Sequence, residues 1–284
     1  MKTPKRLLPL IEDGLVDEVL RQLMSGKEAK VYVVRCGEEI RCAKVYKEAN
    51  QRSFKQAAAY TEGRKVKNSR QARAMAKGSK YGREVQEEAW QTAEVDALYR
   101  LADAGVRVPE PYICFEGVLL MELLTDANGN AAPRLNDVEM SEALALQYHA
   151  ELIHQVVLML CAGVVHGDLS EYNILVDAEG PVIIDLPQAV DAAGNNNAAA
   201  MLERDVDNLR SYFSQFAPSL AHSQFGKEIW KLYEAGELTP DSVLTGRVKR
   251  ETRPADVRAV LREVESARQE EEDRRRYLAE LRQQ

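Results

Sequence analysis

Cysteine is scarce in this sequence, and the few cysteines present form no metal-binding or disulfide pattern. Only four of the 284 residues are cysteines. None belongs to a Cys-x-x-Cys pair, and no histidine stands at zinc-ligand spacing from them. The sequence therefore excludes a zinc finger or a dithiol redox motif. The scattered positions are typical of reduced thiols in a cytosolic enzyme: Cys36, Cys42, Cys114 and Cys161.

Long apolar runs are also missing from the sequence. No run reaches the roughly 18–20 residues that a membrane span needs. Near the N-terminus a few leucines follow basic residues, but Glu12 and Asp13 interrupt this stretch and no small-residue cleavage site follows. The content of 45% hydrophobic and 29% charged residues is ordinary for a soluble globular protein. We therefore expect a cytoplasmic location.

The net charge of −7 excludes bulk attraction to polyanions, but the positive charge is unevenly distributed. Between Arg52 and Arg83 the chain has ten basic residues and one acid, Glu62. The same segment has three glycines and few large apolar residues, which favours a mobile loop or a frayed helix. Such a segment is a candidate binding surface for RNA, including ribosomal RNA or a ribosome-associated partner.

Apolar periodicity divides the chain into a strand-rich first half and a mainly helical second half. Ile11, Leu15, Val19 and Leu23 recur at a spacing of four, which predicts a short amphipathic helix before Ser25. The predicted strands cover 30–35, 39–46, 112–115, 118–123, 173–176 and 182–184. The remaining predicted helices cover 84–104, 142–161, 201–216 and 224–235.

A connector rich in Asn, Gly, Ala and Pro, at residues 125–133, is typical of a boundary between two lobes. Strands and one helix precede it, and helices with one small hairpin follow. This order predicts an α+β fold with a β-rich N-lobe and a mainly helical C-lobe. The predicted organisation is an N-terminal helix over 1–24, an N-lobe over 25–124 that includes the basic segment 52–83, a C-lobe over 125–235 and a charged helical tail over 236–284.

The strongest chemical signal is the segment from His166 to Asn173, together with Asp185 after the next predicted hairpin. Phosphoryl transfer needs a carboxylate that orients or deprotonates the attacking hydroxyl, and oxygen ligands that hold Mg²⁺ against the phosphates. In a His-x-Asp-x-x-x-x-Asn loop, Asp168 is the predicted base and Asn173 the predicted amide ligand of the metal. Asp185 is the predicted carboxylate ligand and a second catalytic residue. His166 is expected to orient the loop.

The strand-rich half supplies a predicted lysine for the phosphates of ATP. Lys44 ends a Cys-Ala-Lys segment similar to the Val-Ala-Ile-Lys strand, whose lysine binds the α- and β-phosphates. Glu94, on the helix that follows, is its predicted ion-pair partner. The pair would hold the lysine in place for the nucleotide.

Two further segments are assigned to the nucleotide by position. Ser25 and Lys27 lie between the first predicted helix and strand, where a phosphate-binding loop belongs, although this loop has one glycine instead of the G-x-G-x-x-G pattern. The backbone of Glu122 and Leu124 follows a predicted strand and is the expected adenine-binding hinge.

Together these residues resemble the RIO family of atypical serine/threonine protein kinases. The resemblance runs from about Ile11 to Phe216. Because only a short helix is predicted before the phosphate loop, we expect no winged helix there, as in the first-described subfamily. The matching segments are Ser-Gly-Lys-Glu-Ala-Lys-Val-Tyr (25–32), Ala-Lys-Val-Tyr (43–46), Ala-Gly-Val-Arg-Val-Pro-Glu-Pro (104–111), Leu-Met-Glu (120–122), His-Gly-Asp-Leu-Ser-Glu-Tyr-Asn-Ile-Leu (166–175), Ile-Asp (184–185) and Leu-Glu-Arg-Asp-Val (202–206).

The resemblance implies a two-lobed protein-kinase-like fold and transfer of the γ-phosphate of ATP to protein serine or threonine. It implies Mg²⁺, with Mn²⁺ as an alternative, and autophosphorylation of the chain. It also implies that Asp185 can itself be phosphorylated, in an ATPase cycle through an aspartyl-phosphate. The resemblance does not identify the protein substrate.

Two other functions are compatible with parts of the pattern. Small-molecule phosphotransferases of the aminoglycoside or choline kinase type share the His-Gly-Asp…Asn loop, although the Ser-Gly-Lys-Glu-Ala and Leu-Glu-Arg-Asp-Val segments argue against them. An RNA-associated ATPase switch, or an RNA-binding scaffold without enzymatic activity, would use the basic segment 52–83.

Overall fold

The computed structural model describes residues 3–26, 29–47 and 93–248 of the chain. The described residues up to 247 belong to one unit, and Val248 begins a second one. The first unit has the predicted α+β composition. Its strands are β1 Glu18–Ser25, β2 Ala29–Cys36, β3 Glu39–Tyr46, β4 Pro111–Phe115, β5 Val118–Glu122, β6 Val164–Val165, β7 Ile174–Val176, β8 Pro181–Ile183 and β9 Val190–Asp191, and its helices are α1 Leu8–Glu12, α2 93–103, α3 Glu142–Cys161, α4 Ala198–Phe213 and α5 Phe225–Glu234.

The largest sheet is antiparallel throughout and has the strand order β1-β2-β3-β5-β4. The strands predicted over 30–35 and 39–46 pair as the antiparallel hairpin of β2 and β3, and its turn contains Gly37 with a φ of 64°, a conformation that glycine adopts without strain. The strand pairing places Lys44 opposite Val31 of β2 and Leu119 of β5. Lys44 therefore lies on an interior strand whose backbone is fixed on both sides.

One face of this sheet is covered by the N-terminal segment. Leu7, Leu10 and Val16 are fully buried against it. Because successive residues of a strand point to opposite faces, Lys44 points away from this cluster while its neighbours point into it. The strand residues that complete the cluster are Tyr32, Val34, Ala43, Val45, Val118 and Leu120.

The helix predicted over residues 1–24 is wrong beyond its first turns. α1 ends at Glu12, and the chain reverses at Gly14, whose φ is 71°. The N–H of Val16 then donates to the carbonyl of Leu10 at 3.0 Å, which closes the helix as a left-handed glycine commonly does. β1 follows as an edge strand with mostly exposed side chains. The apolar residues at a spacing of four therefore do not form one buried helix face, because the chain changes direction within this segment.

The helix predicted over 84–104 is described from residue 93 onward. It ends as predicted at Gly105, which has a φ of 75°. The extended segment after it leads directly into β4. The helix packs into the core through three buried side chains: Val95, Leu98 and Leu101.

α3 forms the centre of the helical half and has the predicted bounds. The hydroxyl of Ser141 accepts a hydrogen bond from the N–H of Leu144 at 3.2 Å, which caps the helix. By length and composition alone, α3 is apolar enough to cross a membrane. Leu152, Val156 and Leu160 are however buried within the protein core, which is the environment of a core helix.

The predicted boundary at residue 236 does not coincide with a change in packing. The carboxylate of Glu228 on α5 accepts hydrogen bonds from the N–H groups of Thr245 (3.0 Å) and Gly246 (2.7 Å). Residues 236–247 contain turns and no helix, so the part of the predicted helical tail that is described is wrong. These two hydrogen bonds attach the segment to the helical half.

Several predictions concern residues outside the described ranges. They include the basic segment 52–83, Lys27 and the tail from residue 249, and they stay predictions. The four cysteines all lie within the described ranges and are free thiols, as predicted.

Candidate active site

Lys44 forms the centre of the candidate site because it contacts Glu94, its predicted ion-pair partner, and Asp185, the predicted metal ligand. Its ammonium group donates a hydrogen bond to the Glu94 carboxylate and lies 3.1 Å from Oδ1 of Asp185. The three residues come from β3, α2 and the loop after β8, which are separated by up to 141 positions. The fold thus brings together three residues that the sequence placed in one site.

The Lys44–Glu94 pair is almost completely removed from water. The side chains are 12% and 6% exposed. Burial by itself would lower the pKa of Lys44, but the Glu94 and Asp185 carboxylates outweigh it and hold the pKa well above its ordinary value. Lys44 is therefore a permanent cation at neutral pH. Such a charge is suited to phosphate binding.

Asp185 occupies an unusual backbone conformation directly after the small β7–β8 hairpin. Its φ is 67°, in the left-handed region where residues other than glycine are uncommon. Burial would raise the pKa of its carboxyl, but the Lys44 ammonium, with smaller contributions from His166 and Arg134, holds the pKa below its usual range. The carboxylate is ionised at neutral pH, and 47% of the side chain remains exposed.

His166 connects the loop of Asp168 to the strand end that precedes Asp185. Its Nε2 lies 3.1 Å from the carbonyl of Ile184, and its Nδ1 accepts the N–H of Asp168 at 3.3 Å. These two contacts require a neutral ring that carries its proton on Nε2. Burial lowers the pKa of His166, which keeps this form at neutral pH. The contacts are those of a positioning residue, in agreement with the predicted role.

Asp168 is exposed at the surface of the loop, while its backbone is tightly bound. Its carbonyl accepts a hydrogen bond from the side-chain amide of Asn173 at 2.8 Å. Partial burial raises the pKa of the Asp168 carboxyl above its ordinary value, against the nearby His166 and Arg204. A raised pKa makes a carboxylate a stronger base, as the predicted role requires.

Asp205 was part of a motif in the sequence but had no predicted role. Its carboxylate is 1% exposed and accepts the backbone N–H groups of Gly167 at 2.7 Å and Leu169 at 3.1 Å. Burial raises its pKa to about 7, although both N–H groups favour the ionised form. Two neighbours on α4 add contacts: Arg204 donates to the Gly167 carbonyl, and Asn208 to the Leu169 carbonyl at 2.9 Å.

The described residues offer an incomplete set of ligands for a divalent cation, of the kind that a nucleotide completes. The N–H of Ile184 donates to the carbonyl of Asn173 at 3.0 Å, so Asn173 and Asp185 lie at the same end of the β7–β8 hairpin. Side-chain oxygens of this type are the ligands that Mg²⁺ prefers. Within the described ranges there is no cluster of three or more His, Cys, Asp or Glu side chains able to hold a metal. A cation would take its other ligands from phosphate and water.

In the predicted hinge, one backbone group of Glu122 and one of Leu124 already form hydrogen bonds within the protein. The N–H of Glu122 donates to the carbonyl of Glu110 at 2.9 Å. The carbonyl of Leu124 accepts the N–H of Ala132 at 2.9 Å. An adenine ring would therefore be recognised by the carbonyl of Glu122 and the N–H of Leu124.

The predicted phosphate loop is described in part. Ser25 is the last residue of β1 and pairs with Lys30 of β2. The N–H of Gly26 donates to the carbonyl of Ala29 at 2.9 Å, so the loop is a tight connection between two paired strands. Lys27, the predicted phosphate ligand within it, lies outside the described residues.

Comparison with known proteins gives a consistent result. Residues 30–225 match the family model of the RIO domain. A protein of Haloferax volcanii named RIO-type serine/threonine-protein kinase Rio1 is 34% identical over 206 residues, which cover 72% of this chain and 66% of that protein. The serine/threonine-protein kinase rio1 of Schizosaccharomyces pombe is 31% identical, with 75% and 41% covered.

A third relative is aligned over more of its own length. It is a protein of Methanocaldococcus jannaschii, also named RIO-type serine/threonine-protein kinase Rio1, and it is 29% identical over 241 residues. The alignment covers 84% of this chain and 76% of that relative. This chain thus spans about two thirds of the Haloferax protein and about two fifths of the Schizosaccharomyces protein.

Proposed function

Because this chain belongs to the RIO domain family, we propose that it is an atypical kinase that transfers the γ-phosphate of ATP to protein serine or threonine. The observation that carries the proposal is the contact of one buried ammonium group, that of Lys44, with both Glu94 and Asp185. This contact supports the proposal because a fixed cation beside a carboxylate that can bind a metal is what binding of a metal–nucleotide complex needs. Mg²⁺ is the proposed metal, and it would neutralise charge on the phosphates.

In the proposed reaction Asp168 accepts the proton of the serine or threonine hydroxyl. The hydroxyl oxygen forms a bond to the γ-phosphorus, the bond between that phosphorus and the β–γ bridging oxygen breaks, and ADP leaves. The raised pKa of Asp168 favours this proton transfer, and the backbone hydrogen bonds of its loop fix its position. Lys44 would hold the α- and β-phosphates, and Asn173 and Asp185 the metal.

We also propose two more specific activities. They are autophosphorylation and hydrolysis of ATP through an aspartyl-phosphate on Asp185. Partial exposure of the Asp185 side chain supports the second part, because the carboxylate must reach the γ-phosphorus. The proposed location is cytoplasmic. Binding of RNA or of a ribosome-associated partner through residues 52–83 rests on the charge of that segment alone.

Labelled ATP tests the proposal on the purified full chain. We expect label on the chain itself or on added basic protein, and loss of at least about a thousandfold of the rate in Asp168→Asn, since general-base catalysis and substrate positioning are both removed. Asp241→Asn, which removes an exposed carboxylate elsewhere, serves as the matched control and should retain the rate. Acid-stable label identifies phosphoserine or phosphothreonine, while hydroxylamine-labile label identifies an aspartyl-phosphate.

Two results would contradict the proposal. Unchanged transfer in Asp168→Asn would remove that residue from the reaction. Rapid transfer to an aminoglycoside or an amino alcohol, with none to protein, would instead favour the small-molecule phosphotransferase.

A further inference from the structure

Arg134 is fixed at its backbone to the helical half of the molecule. It follows the connector 125–133 and forms an isolated antiparallel bridge with Leu175 of β7. The next residue, Leu135, is fully buried and begins a short 3₁₀ turn. The position of the Arg134 main chain is therefore set by its bridge to β7 and by the buried Leu135 that follows it, and its side chain is the variable part.

The side chain of Arg134 reaches the opposite part of the site. One guanidinium nitrogen, Nη2, lies 3.3 Å from the sulfur of Met24 on β1. Met24 immediately precedes Ser25 and Gly26, which form the start of the predicted phosphate loop. The side chain thus joins the strand β7 region to the beginning of that loop.

Among the described residues this contact gives the guanidinium of Arg134 one weak acceptor. A guanidinium has five N–H donors, whereas a thioether sulfur is a weak acceptor. Within the described ranges no carboxylate lies at ion-pair distance from Arg134, in contrast to Lys44, which has two. The backbone partner of Arg134, Leu175, lies two residues after Asn173, so Arg134 lies beside the strand that follows this predicted metal ligand.

We propose that Arg134 leaves the sulfur of Met24 and binds phosphate oxygens of the nucleotide, as a positioning and affinity residue of the active site. The inference rests on the proposed function, because it assumes that ATP occupies the space beside Lys44 and Asp185. Its position between the start of the phosphate loop and the strand that follows Asn173 favours the phosphates over the adenine ring. Arginine binds phosphate in a bidentate manner that a weakly held side chain can readily adopt.

Nucleotide binding to the purified full chain tests the inference without a need for catalysis. Dissociation constants for adenosine, ADP and ATP are measured by calorimetry for the wild type and for Arg134→Met, which has a similar length but no charge. We expect the affinity for ATP and ADP to fall about tenfold or more, as for loss of a hydrogen bond to a charged group, and that for adenosine to stay unchanged. Arg134→Lys retains the charge but not the bidentate geometry, so its ATP affinity should be intermediate.

Arg35→Met is the matched control, because Arg35 is half exposed on β2 and pairs with Glu18 on β1. This substitution removes the same charge at a position that does not reach the site. The affinity of the Arg35→Met variant for ATP should therefore equal that of the wild type. An unchanged ATP affinity in Arg134→Met would overturn the inference. An equal loss for adenosine and ATP would also overturn it, because Arg134 would then contact the nucleoside.

The same titration separates the inference from the proposed function. If the wild type binds ATP and transfers phosphate while Arg134→Met binds ATP equally well, only the inference fails. If the wild type binds neither ATP nor ADP, both fail together.

Discussion

Asp205 holds Asp168 in position without contacting its carboxylate. The buried carboxylate of Asp205 accepts the N–H of the residue before Asp168, at 2.7 Å, and the N–H of the residue after it, at 3.1 Å. These N–H groups lie in a loop that has no regular partner strand for them. The direction of the Asp168 side chain therefore depends on a residue of α4 that is 37 positions away in sequence.

Substitution of Asp205→Asn should lower turnover and leave ATP binding almost unchanged. The amide can accept only one of the two N–H groups, and its own NH₂ then faces the other donor. A buried donor left without a partner costs about 1–3 kcal/mol, which corresponds to about a tenfold to hundredfold lower kcat if the cost falls on the transition state. Steady-state kinetics would show kcat reduced with KM for ATP retained, and urea unfolding would show reduced stability.

Asp207→Asn is the control for this substitution because it lies on the same helix. Its carboxylate is 57% exposed and pairs with Arg210 at 3.2 Å, so its removal should cost less than about 1 kcal/mol. A normal kcat in Asp205→Asn, with normal stability, would show that Asp168 is positioned by other contacts.

The sequence predicts the main features of the site because they depend on local patterns. The strands around Lys44 and the spacing from Asp168 to Asn173 are short-range features, and both match the structure. The role of Asp205 depends on a contact between distant segments, which local patterns do not predict. A signal was nevertheless present, because Asp205 lies four residues after Met201 and four before Leu209, on the buried face of α4.

The N-terminal region shows the opposite limit of sequence analysis. Apolar residues at a spacing of four predicted one helix, but the structure has a short helix, a reversal at Gly14 and an edge strand. Edge strands lack a clear alternation when most of their side chains are exposed, as in β1. The pair Asp13-Gly14 is a local turn signal that predicts this reversal.

Glu94→Gln should weaken phosphoryl transfer by leaving Lys44 with Asp185 alone. Removal of one partner of a buried ion pair is strongly destabilising, and here the lysine is also released from the position in which we propose that it binds the nucleotide. We expect a loss of at least about tenfold in kcat/KM for ATP. Asp96→Asn, an exposed residue of the same helix, should retain the wild-type value.

A double-mutant cycle with Lys44→Met distinguishes coupling from independent effects. If the two residues act as a pair, the combined variant should be no worse than Lys44→Met alone. Additive losses in the cycle would contradict a functional Lys44–Glu94 pair.

His149 should make the protein less stable in acid. Its ring is buried between Phe213 and Phe225, its Nε2 has no hydrogen-bond partner among the described residues, and burial lowers its pKa to about 4. The unfolded chain takes up this proton near pH 6.5, and the folded chain only near pH 4. The free energy of unfolding should therefore fall by roughly 3 kcal/mol as the pH falls from 6.5 to about 4. Above pH 6.5 the ring is neutral in both states, so His149 causes no such loss.

His149→Leu removes this titration and retains an apolar side chain of similar size. Urea unfolding at pH 7.5 and at pH 5 measures the stability of both proteins. On acidification His149→Leu should lose less stability than the wild type. His166 also has a lowered pKa, but it is common to both proteins, so the difference between them reports on His149. An identical pH dependence of the two proteins would show that His149 is not protonated selectively in the unfolded state.

Asp185→Asn removes the charge of this residue and should keep its backbone conformation. Asn is one of the few residues that tolerate the left-handed conformation, so the substitution should preserve the φ of 67°, whereas Asp185→Ala adds strain of about 1 kcal/mol. Unfolding measurements should therefore rank Asp185→Ala below Asp185→Asn in stability. Both variants should lose at least about a thousandfold of the transfer rate, because the proposed metal ligand is missing in each.

The metal dependence of nucleotide binding gives the decisive measurement for Asp185. In the wild type the lowered pKa keeps the carboxylate ionised throughout the neutral range, and added Mg²⁺ should strengthen ATP binding. In Asp185→Asn this gain should disappear, while ATP without metal should bind at least as well as to the wild type, because Lys44 is freed from one carboxylate and a negative charge near the phosphates is gone. A full gain with Mg²⁺ in Asp185→Asn would show that the metal is held elsewhere, and the kinase assignment would then lose its second catalytic residue.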